Sequence, residues 1–432
     1  MPATDREGPL LSLFDLIAAL VTTTAAFAWI NRRFLRLPAN VGLLIMGLVA
    51  SLLLLGIEML IPATELYQAS TRTIRQIDFY DTFMNGMLAL LLFAGALSVD
   101  LDRLRSRAPV VIVLATVGVL ISTAIVAIGL WLVALAVGLP LSFEWALVFG
   151  AIVAPTDPVA VLATLKSTAV PSSLKTDMSG EALFNDGFGV VLFTVALHAA
   201  LEPGRDLSPL TLLRELVLQA GGGLLLGLAT GYLAYRAIRA IDDYSLEVLI
   251  SIALVTGTYA FANDLGMSGP IAVVVAGVLI GNRGAENAMS DISKRYMYSF
   301  WTLLDQILNS VLFLLIGLEV LVLNFDLSFL WMALIAVPLI VLARSVSVAG
   351  PVMLLRFWRP FARGTIPVLI WGGVRGGISI ALALALPYSP ERTLILSATY
   401  AVVLFTIVVQ GLTFGTVLRR TAARSQPVST SA

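Results

Sequence analysis

The sequence contains no cysteine and a single histidine among 432 residues. Because cysteine is absent, the chain cannot form disulfides, thiolate metal sites or cysteine nucleophiles. Charge is also scarce, since Asp, Glu, Lys and Arg make up only 12% of the residues and the formal net charge is zero. A chain with neither a net charge nor a large basic cluster is not expected to bind nucleic acid.

Hydrophobic residues are abundant, at 59% of the chain, and apolar runs recur throughout. A run of about 20 apolar residues crosses a bilayer core of ~30 Å as a helix. We therefore predict an all-α polytopic membrane protein in which residues 1–432 form a single membrane domain with no soluble regulatory domain. The predicted transmembrane helices number about thirteen, at 12–30, 38–61, 79–99, 109–137, 142–165, 177–199, 208–235, 246–264, 268–282, 299–322, 328–355, 365–387 and 393–418.

The basic residues predict the orientation of these spans. Nineteen of the twenty-seven Lys and Arg residues lie in the C-terminal tail or in loops that follow odd-numbered spans. Lys and Arg concentrate in the loops that stay in the cytoplasm. We therefore expect an integral protein of the plasma (cell inner) membrane, with the N-terminus outside and the C-terminus cytoplasmic.

Two of the predicted spans are interrupted near their centres. Pro155 and Pro158 lie within span five, and Gly372, Gly373, Gly376 and Gly377 surround Arg375 in span twelve. A proline removes a backbone donor and clashes with the carbonyl four residues earlier. Paired interrupted helices in two halves of a chain indicate a transporter with its binding site at the midplane. We predict two inverted six-helix repeats, spans 1–6 and 8–13, whose discontinuous helices cross there.

Four charged side chains lie near the middle of spans, namely Asp157, Asp186, Arg344 and Arg375. Asp186 follows the start of span six by about ten residues, or ~15 Å at 1.5 Å per residue. An ionisable side chain at such depth costs at least ~2.5 kcal/mol and marks an ion or proton pathway by default. These four charges predict the position of the functional site.

Asp186 is the predicted carrier, because one desolvated carboxylate can hold either a proton or a small cation, and competition for one site gives exchange. The alternative is a structural acid paired with an arginine. Thr156 places a hydroxyl beside carbonyls freed by the prolines, so Asp186 and Thr156 form a predicted Na⁺ or Li⁺ site. Thr156 could instead only cap the break. Asp157 either coordinates the ion or caps a half-helix that begins at Pro158.

Other polar residues of these spans have predicted supporting roles. Asn185 and Asp157 are expected to connect the interrupted ends of spans five and twelve through span six. Glu181 is expected to form a structural ion pair with Arg375 or Arg344, since a buried charge that loses its partner is strongly destabilising. In span ten, Asp305 and Glu319 are expected near the two membrane surfaces, and Asn309 inside the bundle.

Three motifs carry a resemblance to a known family, and they are Ala154-Pro155-Thr156-Asp157-Pro158-Val159-Ala160-Val161, Gly180-Glu181-Ala182-Leu183-Phe184-Asn185-Asp186-Gly187 and Gly372-Gly373-Val374-Arg375-Gly376-Gly377. With them the chain resembles the monovalent cation/proton antiporters of the sodium/proton exchanger branch. The resemblance implies thirteen spans and a homodimer in which a core region, about 79–199 and 299–387, rocks against a dimerisation region formed by the remaining spans.

The resemblance also implies residue roles. Thr156 and Asp186 bind the ion, Asp157 and Asn185 support them, and the Asn-Asp pair at 185 and 186 is associated with electroneutral exchange. Two positions depart from the family pattern. Ala182 stands where many relatives carry Ser, and Leu91 to Leu97 contains no acid where some archaeal members use a glutamate.

The predicted function is secondary active antiport of Na⁺, and also Li⁺, against H⁺ at 1:1, by alternating access and without a cofactor or enzymatic activity. K⁺/H⁺ antiport is the alternative. An intramembrane aspartyl protease would need a Gly-x-Gly-Asp pattern, which neither Asp157 nor Asp186 supplies. Gly266-Met267-Ser268-Gly269 fits the serine pattern of rhomboid proteases, but their catalytic base is a histidine in a later span. No histidine follows Ser268 in this chain. An ion channel is a further alternative, but a channel does not need a carboxylate that takes up and releases a proton.

Overall fold

The computed structural model describes residues 12–61, 71, 73–74, 76, 79–157, 171–202, 209–285, 288–322 and 327–423. Across these ranges the regular structure is entirely helical. Ten of the described helices are long and apolar enough to cross a bilayer, and two shorter apolar helices span Phe143–Val153 and Gly269–Gly284. The prediction of an all-α polytopic membrane fold is thus confirmed. Length and composition do not by themselves confirm the count of thirteen.

The first half of the chain forms helices α1 to α7, which are α1 (Leu13–Ile30), α2 (Ala39–Leu60), α3 (Leu88–Leu97), α4 (Leu101–Val113), α5 (Val119–Val137), α6 (Phe143–Val153) and α7 (Ser172–Leu201). Three wider π-helical segments extend α1, precede α3 and join α4 to α5, and they are Asn31–Leu35, Thr82–Met87 and Leu114–Gly118. The single turn Phe79–Asp81 leads into the second of them. α4 and α5 therefore form one long helix.

The second half forms helices α8 to α16, which are α8 (Pro209–Arg239), α9 (Tyr244–Asp264), α10 (Gly269–Leu279), α11 (Asp291–Glu319), α12 (Leu327–Leu355), α13 (Thr365–Trp371), α14 (Gly377–Leu384), α15 (Pro390–Phe405) and α16 (Gly411–Ala423). The π-helical segments Ile280–Gly284 and Thr406–Gln410 follow α10 and join α15 to α16, and a 3₁₀ turn, Val320–Val322, follows α11.

Helix ends are closed by local polar groups, because the first amides and last carbonyls of a helix have no partner within it. The hydroxyls of Ser142, Ser268, Ser290 and Ser389 each accept a hydrogen bond from the first turn of the helix that follows. Gly138 ends α5 with φ of 75°, a left-handed conformation that glycine adopts without strain. Local caps of this kind therefore begin α6, α10, α11 and α15 and end α5.

Burial differs sharply between helices and places α7 at the centre. Most of α7 is buried, whereas α1 and α8 are largely exposed. Large apolar side chains of α8 are exposed, with Leu225 67% and Leu233 71% accessible. An apolar exposed surface suits lipid, which does not drive apolar side chains inward as water does. Asp177, Glu181 and Asn185 of α7 are buried inside this bundle of apolar helices.

Small residues let α2 and α11 approach closely. A Cβ on Gly317 would lie 2.6 Å from the carbonyl oxygen of Leu44, and one on Gly47 would lie 3.0 Å from the carbonyl oxygen of Leu314. The Ser51 hydroxyl donates a hydrogen bond to the Gly317 carbonyl at 3.0 Å. Such interfaces of small residues are typical of helix pairs in membranes.

We predict that Gly317→Ala destabilises the protein by about 1–3 kcal/mol, because the obstructing atoms are backbone and cannot rotate away. Thermal unfolding of the purified protein in detergent measures this. Gly56→Ala, on the same pair of helices, is the matched control, since a Cβ there meets nothing within 4 Å. Equal melting temperatures for the two variants would show that the close approach does not stabilise the fold.

Candidate functional site

The two interrupted regions meet through their backbones. α6 ends at Val153, and residues 372–376 separate α13 from α14. The amide of Asp157 donates a hydrogen bond of 2.7 Å to the carbonyl of Val374. This bond satisfies one donor and one acceptor that the interrupted helices leave without partners. The second half of the span predicted at 142–165 lies outside the described residues, as does Pro158, and with them the predicted helix cap by Asp157.

Arg375 binds the backbone carbonyl at the C-terminal end of α6. Its side chain is fully buried. Nε donates to the carbonyl of Val153 and Nη1 to that of Gly373 at 2.7 Å, while its backbone amide donates to Thr406 Oγ1 at 3.0 Å. A cation suits this position, because the carbonyls at a helix C-terminus carry partial negative charge. Within the described ranges Arg375 forms no ion pair, so it is not the arginine that neutralises Glu181.

Glu181 pairs with Arg344 instead. The two side chains are buried, and the guanidinium binds both carboxylate oxygens, Nη1 to Oε1 and Nη2 to Oε2 at 3.1 Å. The same guanidinium donates from Nη2 and Nε to the carbonyl of Leu369, at 3.0 and 3.3 Å. One ion pair thereby ties α7, α12 and α13 together. A Cβ on Gly373 would lie 2.5 Å from Nε of Arg344.

Asn185 links α7 to the break after α6. Its Nδ2 donates to Thr156 Oγ1 at 2.8 Å, and both side chains are buried. Close packing supports this link, because a Cβ on Gly189 would overlap the ring of Pro155. A Cβ on Gly187 would lie 2.8 Å from Cγ1 of Ile271. These two glycines therefore let Ile271 and Pro155 pack closely against α7.

Asp157 and Asp186 both line a cavity of about 490 Å³ between α3, α7 and α11. Their side chains are partly exposed, unlike those of Asn185 and Thr156, and the two carboxylates interact electrostatically. A Cβ on Gly376 would overlap the carboxylate of Asp157, so only glycine lets the second break approach this closely. The predicted acids thus lie together, with Asp157 in the break after α6 and Gly376 of the second break against its carboxylate.

A second buried ion pair was not predicted. Arg107 donates to Asp177 from Nε at 2.8 Å and from Nη2 at 2.6 Å, and its Nη1 donates to the carbonyl of Pro360 at 3.1 Å. The guanidinium also lies 4.9 Å from the centre of the Phe361 ring. The predicted spans 79–99 and 109–137 place Arg107 in the loop between them, whereas the structure places it in α4. The available signal was the spacing of Asp177 and Glu181, which places two acids on one helix face.

Comparison with known proteins finds matches over nearly the whole chain. A family model described as "Sodium/hydrogen exchanger, transmembrane" matches residues 20–420. The Na⁺/H⁺ antiporter NhaP of Pseudomonas aeruginosa is 43% identical over 97% of this chain and 99% of its own length. The Na⁺/H⁺ antiporter NhaH of Halobacillus dabanensis is 35% identical over 94% of this chain and 96% of its own.

Solved structures show the same fold. The structure of the sodium proton antiporter MjNhaP1 from Methanocaldococcus jannaschii at pH 8 superimposes with a TM-score of 0.72. The match covers 95% of this chain and 99% of that one, at 21% sequence identity. An all-helical architecture is therefore common to both chains.

We predict that Glu181→Gln lowers the stability of the protein by about 3–5 kcal/mol, because the substitution leaves the charge of Arg344 buried without its partner. The double variant Glu181→Gln/Arg344→Gln should lose less than the sum of the two single variants. Thermal unfolding in detergent measures all three. Asp291→Asn is the control, since Asp291 pairs with Lys294 at 3.5 Å on an exposed surface and such pairs stabilise little. Strict additivity would contradict a coupled pair.

Proposed function

This chain belongs to the sodium/hydrogen exchanger family, and we propose that it exchanges Na⁺ for protons across a bilayer as a secondary active antiporter. The carboxylate of Asp186 carries the proposal. It faces a cavity inside an apolar helix bundle, and an ionisable group in such a place serves an ion or proton pathway by default. The names of the similar proteins favour Na⁺ over K⁺, and Li⁺ shares the preference of Na⁺ for oxygen ligands.

In this proposal Asp186 binds either Na⁺ or a proton, never both. Thr156 supplies a hydroxyl oxygen to the cation, and Asn185 holds that oxygen in place through the 2.8 Å hydrogen bond. Asp157 adds negative charge beside Asp186. Glu181 is neutralised by Arg344, so it holds helices together and does not take part in exchange.

The cavity suggests how the ion reaches the site. Its lining continues from Asp157 and Asp186 to Asp100, Arg103 and Lys175. These last residues lie in or beside loops rich in basic residues, which the positive-inside rule assigns to the cytoplasm. We therefore infer a conformation open to the cytoplasm, in a plasma (cell inner) membrane protein whose N-terminus lies outside.

Alternating access then requires a second conformation open to the other side. We propose that the core region, 79–199 and 299–387, moves against the remaining helices within a homodimer. The two interrupted helices belong to opposite inverted repeats in this scheme. Such rigid-body motion around a fixed midplane site is the common transport mode of inverted-repeat transporters.

We predict that Asp186→Asn abolishes exchange while the protein stays folded, since the amide keeps the shape of the carboxyl group but cannot take up a proton. Proteoliposomes with an imposed pH gradient, tested separately with Na⁺, Li⁺ and K⁺, measure this. Asp264→Asn, at the exposed end of α9, is the control that should keep wild-type exchange. Exchange retained by Asp186→Asn would refute the carrier role.

We predict that the wild type moves no net charge, because one proton and one monovalent cation alternate on a single carboxylate and Asn185 cannot carry a second proton. The rate should not respond to membrane potential, whereas two protons per cation would couple it to voltage at ~2.3 kcal/mol per charge per 100 mV. The apparent affinity for Na⁺ should also weaken as the pH falls, since protons then occupy Asp186. Steady current on a solid-supported membrane would contradict 1:1 exchange.

A further inference from the structure

One peptide group in the second helix break is held at both ends by hydrogen bonds. It joins Val374 to Arg375, and its carbonyl accepts the 2.7 Å hydrogen bond from the amide of Asp157. Its N–H donates to Thr406 Oγ1 at 3.0 Å. Because a peptide group is planar, its carbonyl and its N–H turn together. Thr406 and Asp157 therefore hold opposite ends of one rigid plane.

The backbone on either side of this peptide group leaves its orientation free. Two glycines precede it and two follow it, at positions 372, 373, 376 and 377. Glycine permits a wider range of φ and ψ than any other residue. The Arg375 side chain binds the carbonyls of Val153 and Gly373, which belong to other peptide groups. The hydrogen bonds at its two ends therefore orient the Val374–Arg375 peptide.

Thr406 is held in place to accept its bond. It is buried, and its hydroxyl donates to the carbonyl of Val403 at 3.1 Å. A hydroxyl has one donor and two acceptor positions, so Thr406 can donate to Val403 and accept from Arg375 at the same time. Thr406 is also the first residue of the π-helical segment that joins α15 to α16. Single wide turns of this kind are frequent at functional sites.

Together these contacts form one chain of three hydrogen bonds. The Asp157 amide donates to the Val374 carbonyl, the Arg375 amide donates to the Thr406 hydroxyl, and that hydroxyl donates to the Val403 carbonyl. All three bonds point the same way along the chain, so each polarises and strengthens the next. Removal of the Thr406 hydroxyl would leave the Arg375 amide without this acceptor and would weaken the bond to Asp157.

The chain ends beside the proposed cation site. The amide of Asp157 shares a peptide group with the carbonyl of Thr156, so the bond to Val374 also fixes the backbone of Thr156. The Thr156 hydroxyl is held separately, by Asn185 Nδ2 at 2.8 Å. The oxygen that Thr156 would offer to a cation is therefore fixed both from α7 and from the second helix break.

We propose that Thr406 is a positioning residue of the cation site, which acts through the Val374–Arg375 peptide to hold the backbone of Thr156 and Asp157. Thr406 itself does not coordinate the cation. A site whose oxygens are held in place before binding loses less conformational freedom when the ion arrives, so Thr406 raises the affinity for Na⁺. This role rests on the proposed function, because it presupposes that Na⁺ binds at Thr156.

The first test compares Thr406→Val with the wild type in proteoliposomes, because valine keeps the shape of threonine but has no hydroxyl. The KM for Na⁺ should rise about three- to tenfold, which corresponds to the net contribution of one hydrogen bond, while the maximal rate stays within about twofold. Thr406→Ser keeps the hydroxyl and should keep the KM within about twofold of the wild type.

Thr399→Val is the matched control for Thr406→Val. Thr399 is buried about two turns earlier on α15, and its hydroxyl donates to the carbonyl of Ile395 at 2.8 Å. The same chemical change is therefore made on the same helix, away from the hydrogen-bond chain. The KM of this variant should equal that of the wild type.

The second test is hydrogen exchange of backbone amides, measured by mass spectrometry in detergent on the peptides that contain Arg375 and Asp157. Both amides should exchange slowly in the wild type and at least about threefold faster in Thr406→Val. The Asp157 amide is the informative one, because the proposal connects it to Thr406 only through the Val374–Arg375 peptide. Thr399→Val should leave both rates unchanged.

Several results would overturn the proposal. They are an unchanged KM or an unchanged Asp157 amide in folded Thr406→Val, a lost maximal rate at unchanged KM, an equal rise of KM in Thr399→Val, and a raised KM in Thr406→Ser. If Thr406→Val does not fold, Thr406→Ser and the wild-type protein decide, since rapid exchange of the Asp157 amide in the wild type would refute the hydrogen-bond chain.

Failure of the proposed function is distinguishable from failure of this role. A wild type that does not exchange Na⁺ for protons would refute the proposed function. Hydrogen exchange of the Asp157 amide needs no transport, so it would still test whether Thr406 holds the backbone of the second helix break against Asp157.

Discussion

A bilayer core offers no water to backbone amides and carbonyls, so an interrupted helix must find partners for its freed groups within the protein. In this chain the two interruptions satisfy each other. The amide of Asp157 binds the carbonyl of Val374, and the side chain of Arg375 binds the carbonyl of Val153. The position of the Asp157 carboxylate in the cavity depends on this contact between the two interruptions, because the amide that binds the Val374 carbonyl belongs to the same residue.

α7 carries three acids with different environments, and this difference separates structural from functional charge. Asp177 binds Arg107 and Glu181 binds Arg344, in both cases through two oxygens. Asp186 has no arginine partner among the described residues and faces the cavity instead. An acid whose two oxygens both bind a buried arginine has few acceptor positions left for another cation. For this reason the proposed exchange assigns the proton and the cation to Asp186, and not to Asp177 or Glu181.

Much of this arrangement could be predicted from sequence, because interruptions and buried charges are rare in apolar spans. Pro155, the glycines around Arg375 and the depth of Asp186 were sufficient to predict two discontinuous helices near one acid. The choice of Arg344 over Arg375 as partner of Glu181 was not predictable, since both arginines lie at mid-span. Asp305 lines the same cavity as Asp186. This position depends on the rotation of α11 about its axis, which could not be predicted from the mixed polar spacing of that helix.

Arg375 shows how backbone carbonyls hold a buried cation that forms no ion pair among the described residues. Its guanidinium forms a planar fork with five donors, and two of its nitrogens bind the carbonyls of Val153 and Gly373. These carbonyls belong to the two breaks, and that of Val153 lies at the negative end of α6. A lysine would present a single ammonium nitrogen and could not match this geometry. The carboxylate of Glu181 adds an electrostatic attraction to Arg375 from beyond ion-pair distance. Among the described residues Arg375 forms no ion pair with Asp186, and the carboxylate of Asp186 lines the cavity instead.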